Sequence, residues 1–306
     1  MVSPIVTIVG GSGFVGRHTI KRFADAGWRV NVLCRDTVAA EFLKTAGTVG
    51  QVVLQYADIT RPETLEGKFA GSQVVVNLVS ILYQSGRQKF DSINVKGAKL
   101  IAEHAKKAGA KRLIHISALS PSADAKYGKT KAEGEEAVKA AFPGATILRP
   151  SLIIGPEDGF FQRFGRMSLK SPALPVIAGG NTKFQPVLVE DVAKAIITTA
   201  TDVHTAGKTY ELAGPKTYSM KELLKLMFSV TGRKKRLVNI PAPIASLMGF
   251  VCELLPLSPM ITRDQVRLLK SDNVASAGSL QLQDLGITPT DIETALPSLL
   301  ERFNKR

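Results

Sequence analysis

Two cysteines in 306 residues, Cys34 and Cys252, leave no disulfide framework and no Cys-x-x-Cys spacing for zinc or thiol chemistry. A reducing compartment fits that usage. The four histidines, His18, His104, His115 and His204, are scattered, none at metal-ligand spacing from another or from a cysteine, so no metal is expected. Acidic side chains are in deficit: 26 Asp and Glu against 40 Lys and Arg give a formal charge of +14. Such a surface attracts anions, whether phosphorylated ligands, acidic proteins or anionic lipid. Nucleic acid is not expected as a partner, because there is no zinc-finger spacing, no RNA-recognition signature and no basic stripe interleaved with aromatics. Long hydrophobic runs are missing too. The charge-free stretch Leu237 to Cys252 is shorter than the roughly 20 apolar residues a spanning helix needs. No targeting segment is visible, since the first strand-like run, Ile5 to Val9, begins almost at the initiator Met. This predicts a cytoplasmic protein with a bacterial-type N-terminus, or a mature form already trimmed, with peripheral placement at the inner membrane as the alternative.

What the chain does have is enough apolar content, 44%, to bury a substantial core. Short runs rich in Val and Ile alternate with helix-length segments, the pattern of repeated strand-helix-strand units around a parallel sheet. Strands are expected near residues 4–9, 28–33, 51–55, 73–79, 112–117, 145–149 and 208–212. The segment 92–109 shows the three-to-four spacing of an amphipathic helix in Ile93, Val95, Ala98, Ile101, Ala102 and Ala105. After about residue 213 the strand-like alternation stops, and helices are expected at 219–231 and 263–271. The domains predicted are 1–213 and a smaller, mainly helical unit, 214–306, with the loop 155–185 packing against it.

The clearest motif is IVTIVGGSGFVGRH. A buried strand leads into Gly10, Gly13 and Gly16, and a helix follows. Gly10 permits the tight turn, Gly13 lets backbone amides approach a pyrophosphate, and Gly16 lets the helix pack closely on the sheet. Ser12, Phe14 and Val15 lie in the same turn. In this strand-turn-helix context the motif predicts dinucleotide binding in a Rossmann-type, doubly wound α/β fold. The second strand reads VNVLCRD, with Cys34 and Arg35 where NAD sites usually carry a carboxylate. Arg17 directly follows the third glycine, so Arg17 and Arg35 could grip a 2′-phosphate, which favours NADP(H). A one-residue register shift would instead aim Asp36 at the ribose, which keeps NAD(H) as the alternative.

A tyrosine and a lysine, Tyr127 and Lys131, stand four residues apart in KYGKTKAEGEE, at the start of an expected helix. At that spacing both side chains share one helix face. A tyrosine hydroxyl with a pKa near about 10 serves as a general acid or base near neutrality only when positive charge stabilises its phenolate. Lys131 can supply that charge. It can equally serve to hold a cofactor, and the bland reading of a Tyr-x-x-x-Lys pair is plain helix surface.

With Asp58 in YADIT, Asn94 in INVKGAKLI and Ser117 ending LIHIS, these residues resemble the atypical or extended short-chain dehydrogenase/reductase family over most of the chain. The blocks ISALSPSADAKYGKTKAEGEEAV, ATILRPSLIIGPEDGFF, QPVLVEDVAKAI and YELAGPKTYSMKELL look like the branch that contains the nucleotide-binding accessory subunit of respiratory complex I. The resemblance implies that Ser117 polarises a substrate oxygen, Asn94 completes a proton relay, Asp58 sits near the adenine, and Pro150 with Ser151 runs alongside the nicotinamide. It also implies a protein that keeps a bound NADPH in a structural, regulatory or assembly role linked to the respiratory chain or quinone metabolism. The contrasting expectation is an active oxidoreductase or epimerase using Ser117, Tyr127 and Lys131. Glu157 and Asp158 in GPEDGFF either reach the ligand or cap the next helix.

The C-terminal stretch GRKKRLVNIPAPIASLMGFVCELLPLSPMI joins a basic cluster, Arg233 to Arg236, to an apolar segment interrupted by Pro241, Pro243, Pro256 and Pro259. The preferred reading places Leu247, Met248, Phe250, Val251 and Leu254 in a core face against the nucleotide domain. The other reading docks part of the stretch on a respiratory complex or on the membrane surface, with the basic cluster attracting acidic headgroups.

Overall fold

The computed structural model describes residues 3–119, 124–254 and 261–305. Six strands come first: β1 (Ile5–Val9), β2 (Arg29–Cys34), β3 (Val52–Tyr56), β4 (Val74–Asn77), β5 (Arg112–Ile116) and β6 (Thr146–Pro150). Then follow the short β7 (Ile153–Ile154), β8 (Ala173–Ile177), β9 (Lys183–Phe184) and β10 (Val187–Leu188), and finally β11 (Thr209–Leu212), β12 (Tyr218–Ser219) and β13 (Arg236–Ile240). Seven of them form a parallel sheet in the order β11-β6-β5-β4-β1-β2-β3. All seven strands expected from the sequence are in it. The order reverses between β1 and β4, where Val6 lies between Val30 of β2 and Val74 of β4. That reversal opens a crevice at the strands' carboxyl ends, the place where such sheets bind ligands.

Both sheet faces are covered, which is why the central strands are apolar on both sides. On one face α1 (Phe14–Asp25) and α5 (Val189–Thr201) bury Ile20, Phe23, Val192 and Ile196 against Val6, Ile8 and Val30. On the other, α2 (Ala98–Lys107) and α3 (Lys126–Ala141) bury Ile101, Ala102 and Val138 against Val9, Val75 and Leu113. The helix expected over 92–109 begins with a wide π turn, Asp91–Gly97, before it settles into α2. An apolar spacing of three to four fits either winding, so the sequence could not separate them.

A further core joins α4 (Phe161–Lys170), α6 (Met220–Thr231) and α9 (Ile292–Leu300) through Phe161, Leu174, Leu223, Met227, Leu296 and Phe303. Strand-like structure does not stop at residue 213. β13 pairs in parallel with β8 along its whole length, Arg236 to Ile240 against Ala173 to Ile177. Four basic residues in a row, Arg233 to Arg236, masked its alternation, and Pro175 in β8 is tolerated because a two-stranded ribbon has only edges.

Helix α7 (Ala242–Leu254) rests on α8 (Arg263–Leu268). Leu247, Met248, Phe250, Val251 and Leu254 are exposed instead of buried in a core. The inward side of α7 is made of small residues, with Ala245 and Gly249 buried, so its large side chains have nowhere to go but out. Pro256 and Pro259 lie outside the described residues.

Candidate functional site

The glycine turn leaves β1 into the crevice. Gly10 has φ of +80°, a conformation L side chains rarely adopt, and an added Cβ would come within 2.9 Å of the Val79 side chain beyond β4. A Cβ on Gly16 would sit 2.2 Å from the Gly11 carbonyl oxygen, so only glycine lets α1 start this close to the turn. Gly13 is different. Its Cβ would meet only the Gly10 carbonyl, at 3.4 Å, and the residue is exposed, so the space above it is open to a ligand. Gly13 is also the N-cap of α1, with no side-chain cap and no acidic residue in the first turn. The first-turn amides around Ser12, Phe14 and Val15 are therefore left for an outside acceptor, and the helix dipole favours an anion. These residues fit a dinucleotide pyrophosphate.

Arg35 lies exposed just beyond β2, with no hydrogen bond or ion pair among the described residues. Asp36 is committed elsewhere, its Oδ1 accepting from the Ala39 amide at 2.9 Å. Arg17 stacks over the Phe42 ring at 4.6 Å and pairs with Glu157 at 3.4 Å. His18 lies between Glu157 and Glu190, with Nδ1 2.6 Å from the Glu190 carboxylate. Glu157 thus faces α1, whereas Asp158 caps α4: its Oδ1 accepts from the amides of Phe160 and Phe161. Asp58 is fixed after β3 by the amide and hydroxyl of Thr60, at 2.9 and 2.8 Å.

Across the crevice, α3 presents Tyr127 and Lys131. Nearby, Ser80 donates weakly to Asn94 Oδ1 at 3.5 Å. Asn94 lies buried in the π turn, its Nδ2 donating to Thr130 at 3.2 Å. Gly134 makes this contact close, since a Cβ there would be 2.0 Å from the Asn94 carbonyl oxygen. Lys131 is fully buried and donates to the Ile116 carbonyl at 2.8 Å. Burial lowers its pKa from 10.5 to about 8, with Glu135 opposing the shift. Burial raises the Tyr127 phenol above its ordinary value, with Ser80 opposing the shift. Lys131 acts electrostatically on His115, which burial already holds well below its ordinary pKa.

The Ser117 hydroxyl is buried and has no partner, as is His115 Nε2. An unpaired hydroxyl at the carboxyl end of β5 is a polar atom waiting for a ligand. Pro150 ends β6, and its carbonyl accepts from the Leu119 amide at 3.0 Å. Ser151 is held at 2.7 Å by Asn273 from the C-terminal part of the chain.

Two sets of residues were missed from the sequence. One is Glu135, Arg149 and Glu211, whose ion pairs, 2.6 and 3.6 Å, line a cavity of about 210 Å³ that also includes Lys131 and Ser276. Glu135 could have been noticed one helical turn after Lys131. The other is Asp264 of α8, whose carboxylate accepts from the Lys126 and Tyr127 amides at 2.7 and 2.9 Å. It caps the helix that carries the tyrosine, and nothing local in the sequence announces it.

The glycine turn, the sheet order and the Tyr-Lys helix together define a class. Residues 6–213 match the NAD dependent epimerase/dehydratase family, and the chain belongs to it. Within that class, the chain is 35% identical to NADH dehydrogenase [ubiquinone] 1 alpha subcomplex subunit 9, mitochondrial, of Arabidopsis thaliana, over 98% of this chain and 78% of that one. It is 31% identical to a ceramide reductase of Caulobacter vibrioides over 78% of this chain and 74% of that one. Among solved structures, the UDP-glucose 4-epimerase of Thermotoga maritima superposes with a TM-score of 0.74 at 18% identity, covering 98% of each chain. That likeness shows the fold.

Proposed function

We propose that the protein holds NADPH as a resident nucleotide at the Gly10–Gly16 turn and serves as an accessory, structural or assembly component of a respiratory complex. The observation that carries the non-catalytic half of this reading is the state of the Tyr127–Lys131 pair. A working pair needs a cationic lysine to pull the phenol pKa down toward neutrality. Here Lys131 spends its amine on the Ile116 carbonyl at 2.8 Å, and burial raises the phenol and lowers the amine to about 8, which weakens the charge a phenolate would need. In this reading Lys131, buried beneath the crevice, holds a nucleotide ribose. The nicotinamide would supply hydride chemistry if a substrate reached it. The kinship with complex I subunits supports the assembly role.

The preference for NADP(H) rests on Arg35, exposed and unpaired where an NAD site would place a carboxylate, and on Asp36, whose carboxylate is taken up by its own turn. Arg17 would exchange Glu157 for a 2′-phosphate. The proposed division of labour is a nucleotide domain over 1–213 and a partner-facing unit over 214–306.

The unpaired Ser117 hydroxyl favours a second reading, an oxidoreductase acting on a small carbonyl compound. Gentle purification followed by chromatography of the nucleotide released on denaturation tests the proposal. NADPH in near-stoichiometric amount is the expected result, and a nucleotide-free protein, or one carrying NAD alone, overturns it.

A further inference from the structure

Helix α7 is built inside out. Its inward stripe of Ala242, Ala245 and Gly249 rests on a small core with Val266 and Ile177, and a Cβ on Gly249 would lie 2.8 Å from the Arg263 amide nitrogen. Its outward face carries Ile244, Leu247, Met248, Val251 and Leu254 at three-to-four spacing, 53%, 64%, 45%, 51% and 69% exposed, with Phe250 beside them at 41%. A contiguous apolar face of this kind on a folded chain marks a surface that meets something.

The surroundings say what it meets. Glu253 is the one charged residue on α7, and Arg263 neutralises it at 2.9 Å. In the chain, Lys234 and Lys235 precede β13, which begins at Arg236 and leads into α7, and Arg267 follows in α8, none of them ion-paired among the described residues. Arg263 itself lies over the Phe250 ring at 4.9 Å. Among the described residues no helix is long and apolar enough to cross a membrane. We propose that α7 lies along an anionic lipid surface, its apolar face at the acyl boundary and the flanking Lys and Arg side chains among acidic headgroups. A second copy of the chain fits the face less well, because a two-fold contact through α7 brings the unpaired basic flanks of both copies together. Membrane contact would then sit one helix from the candidate site, since α8 supports α7 and caps α3 through Asp264.

Flotation of the whole chain with vesicles tests this, comparing phosphatidylcholine alone with vesicles in which about a third of the lipid is phosphatidylglycerol. The chain is expected to float with the anionic vesicles, and the bound fraction to fall with added salt. Because the replaced side chains are exposed, Leu247→Glu combined with Val251→Glu should keep the wild-type melting temperature and nucleotide content. Its vesicle affinity should fall by about tenfold or more, the scale of burying one large aliphatic side chain. Lys234→Glu combined with Lys235→Glu should abolish the anionic preference and keep the fold. Equal flotation of the Leu247→Glu/Val251→Glu variant overturns the assignment. So does a wild-type chain that ignores both vesicles and forms a dimer which that variant breaks.

Discussion

Two helices of the candidate site, α1 and α3, begin in opposite ways. The start of α1 has a glycine N-cap, no side-chain cap and no acid in its first turn, and open space lies above Gly13. The start of α3 is closed by a carboxylate from a residue 138 positions away, Asp264, which takes the Lys126 and Tyr127 amides. The open start is fitted for a phosphate. The closed one fastens Tyr127 to the C-terminal unit, and two of its first-turn amides are already taken.

The sharpest way to break the comparison is to spoil the open start. Gly16→Val would place side-chain atoms inside the Gly11 backbone, 2.2 Å from its carbonyl oxygen at Cβ alone. Loss of bound nucleotide is expected, together with a large fall in soluble yield, read by nucleotide analysis of whatever folds. Next in size is the phosphate preference. Arg35→Asp should weaken NADPH relative to NADH by about tenfold or more, the scale of one charge-assisted hydrogen bond, measured by competitive displacement; unchanged relative affinity would remove Arg35 from the site.

At the closed start the expected effect is smaller. Asp264→Ala should cost roughly 1 to 2 kcal/mol, as other lost N-caps do, and lower Tm by a few degrees. Asp264→Asn should recover part of that loss, because the amide oxygen can still accept. The pH response of Lys131 is the finest test. Its amine has a pKa of about 8 in the folded chain against 10.5 for the free side chain, so between those values the unfolded chain holds a proton that the folded chain has released. The group therefore lowers stability below about pH 8, and the penalty is relieved as pH rises toward 10.5. Denaturant unfolding across that window should show a rise in stability that Lys131→Met flattens.

The same contrast explains what could be read from the sequence. Strand, glycine turn and helix are contiguous between Ile5 and Asp25, so periodicity and spacing expose them, and the seven sheet strands follow from runs of Val and Ile. The cap on α3 joins residues far apart in the chain, as do the Arg149–Glu135 and Arg149–Glu211 pairs, and no local pattern encodes such a meeting. The apolar residues of α7 misled for another reason. Apolar spacing says that a face is shared, and a core was the natural place for it. Here the small residues took the inside, which only the approach of Gly249 to Arg263 reveals.

The central claim is that the nucleotide is kept and not turned over. The direct measurement is to follow the reduced nicotinamide of the gently purified protein while carbonyl and quinone compounds are offered. The account predicts NADPH that exchanges slowly and stays reduced throughout. Oxidation that continues over many turnovers, and that Tyr127→Phe abolishes, would contradict it and make Tyr127 and Lys131 a catalytic pair.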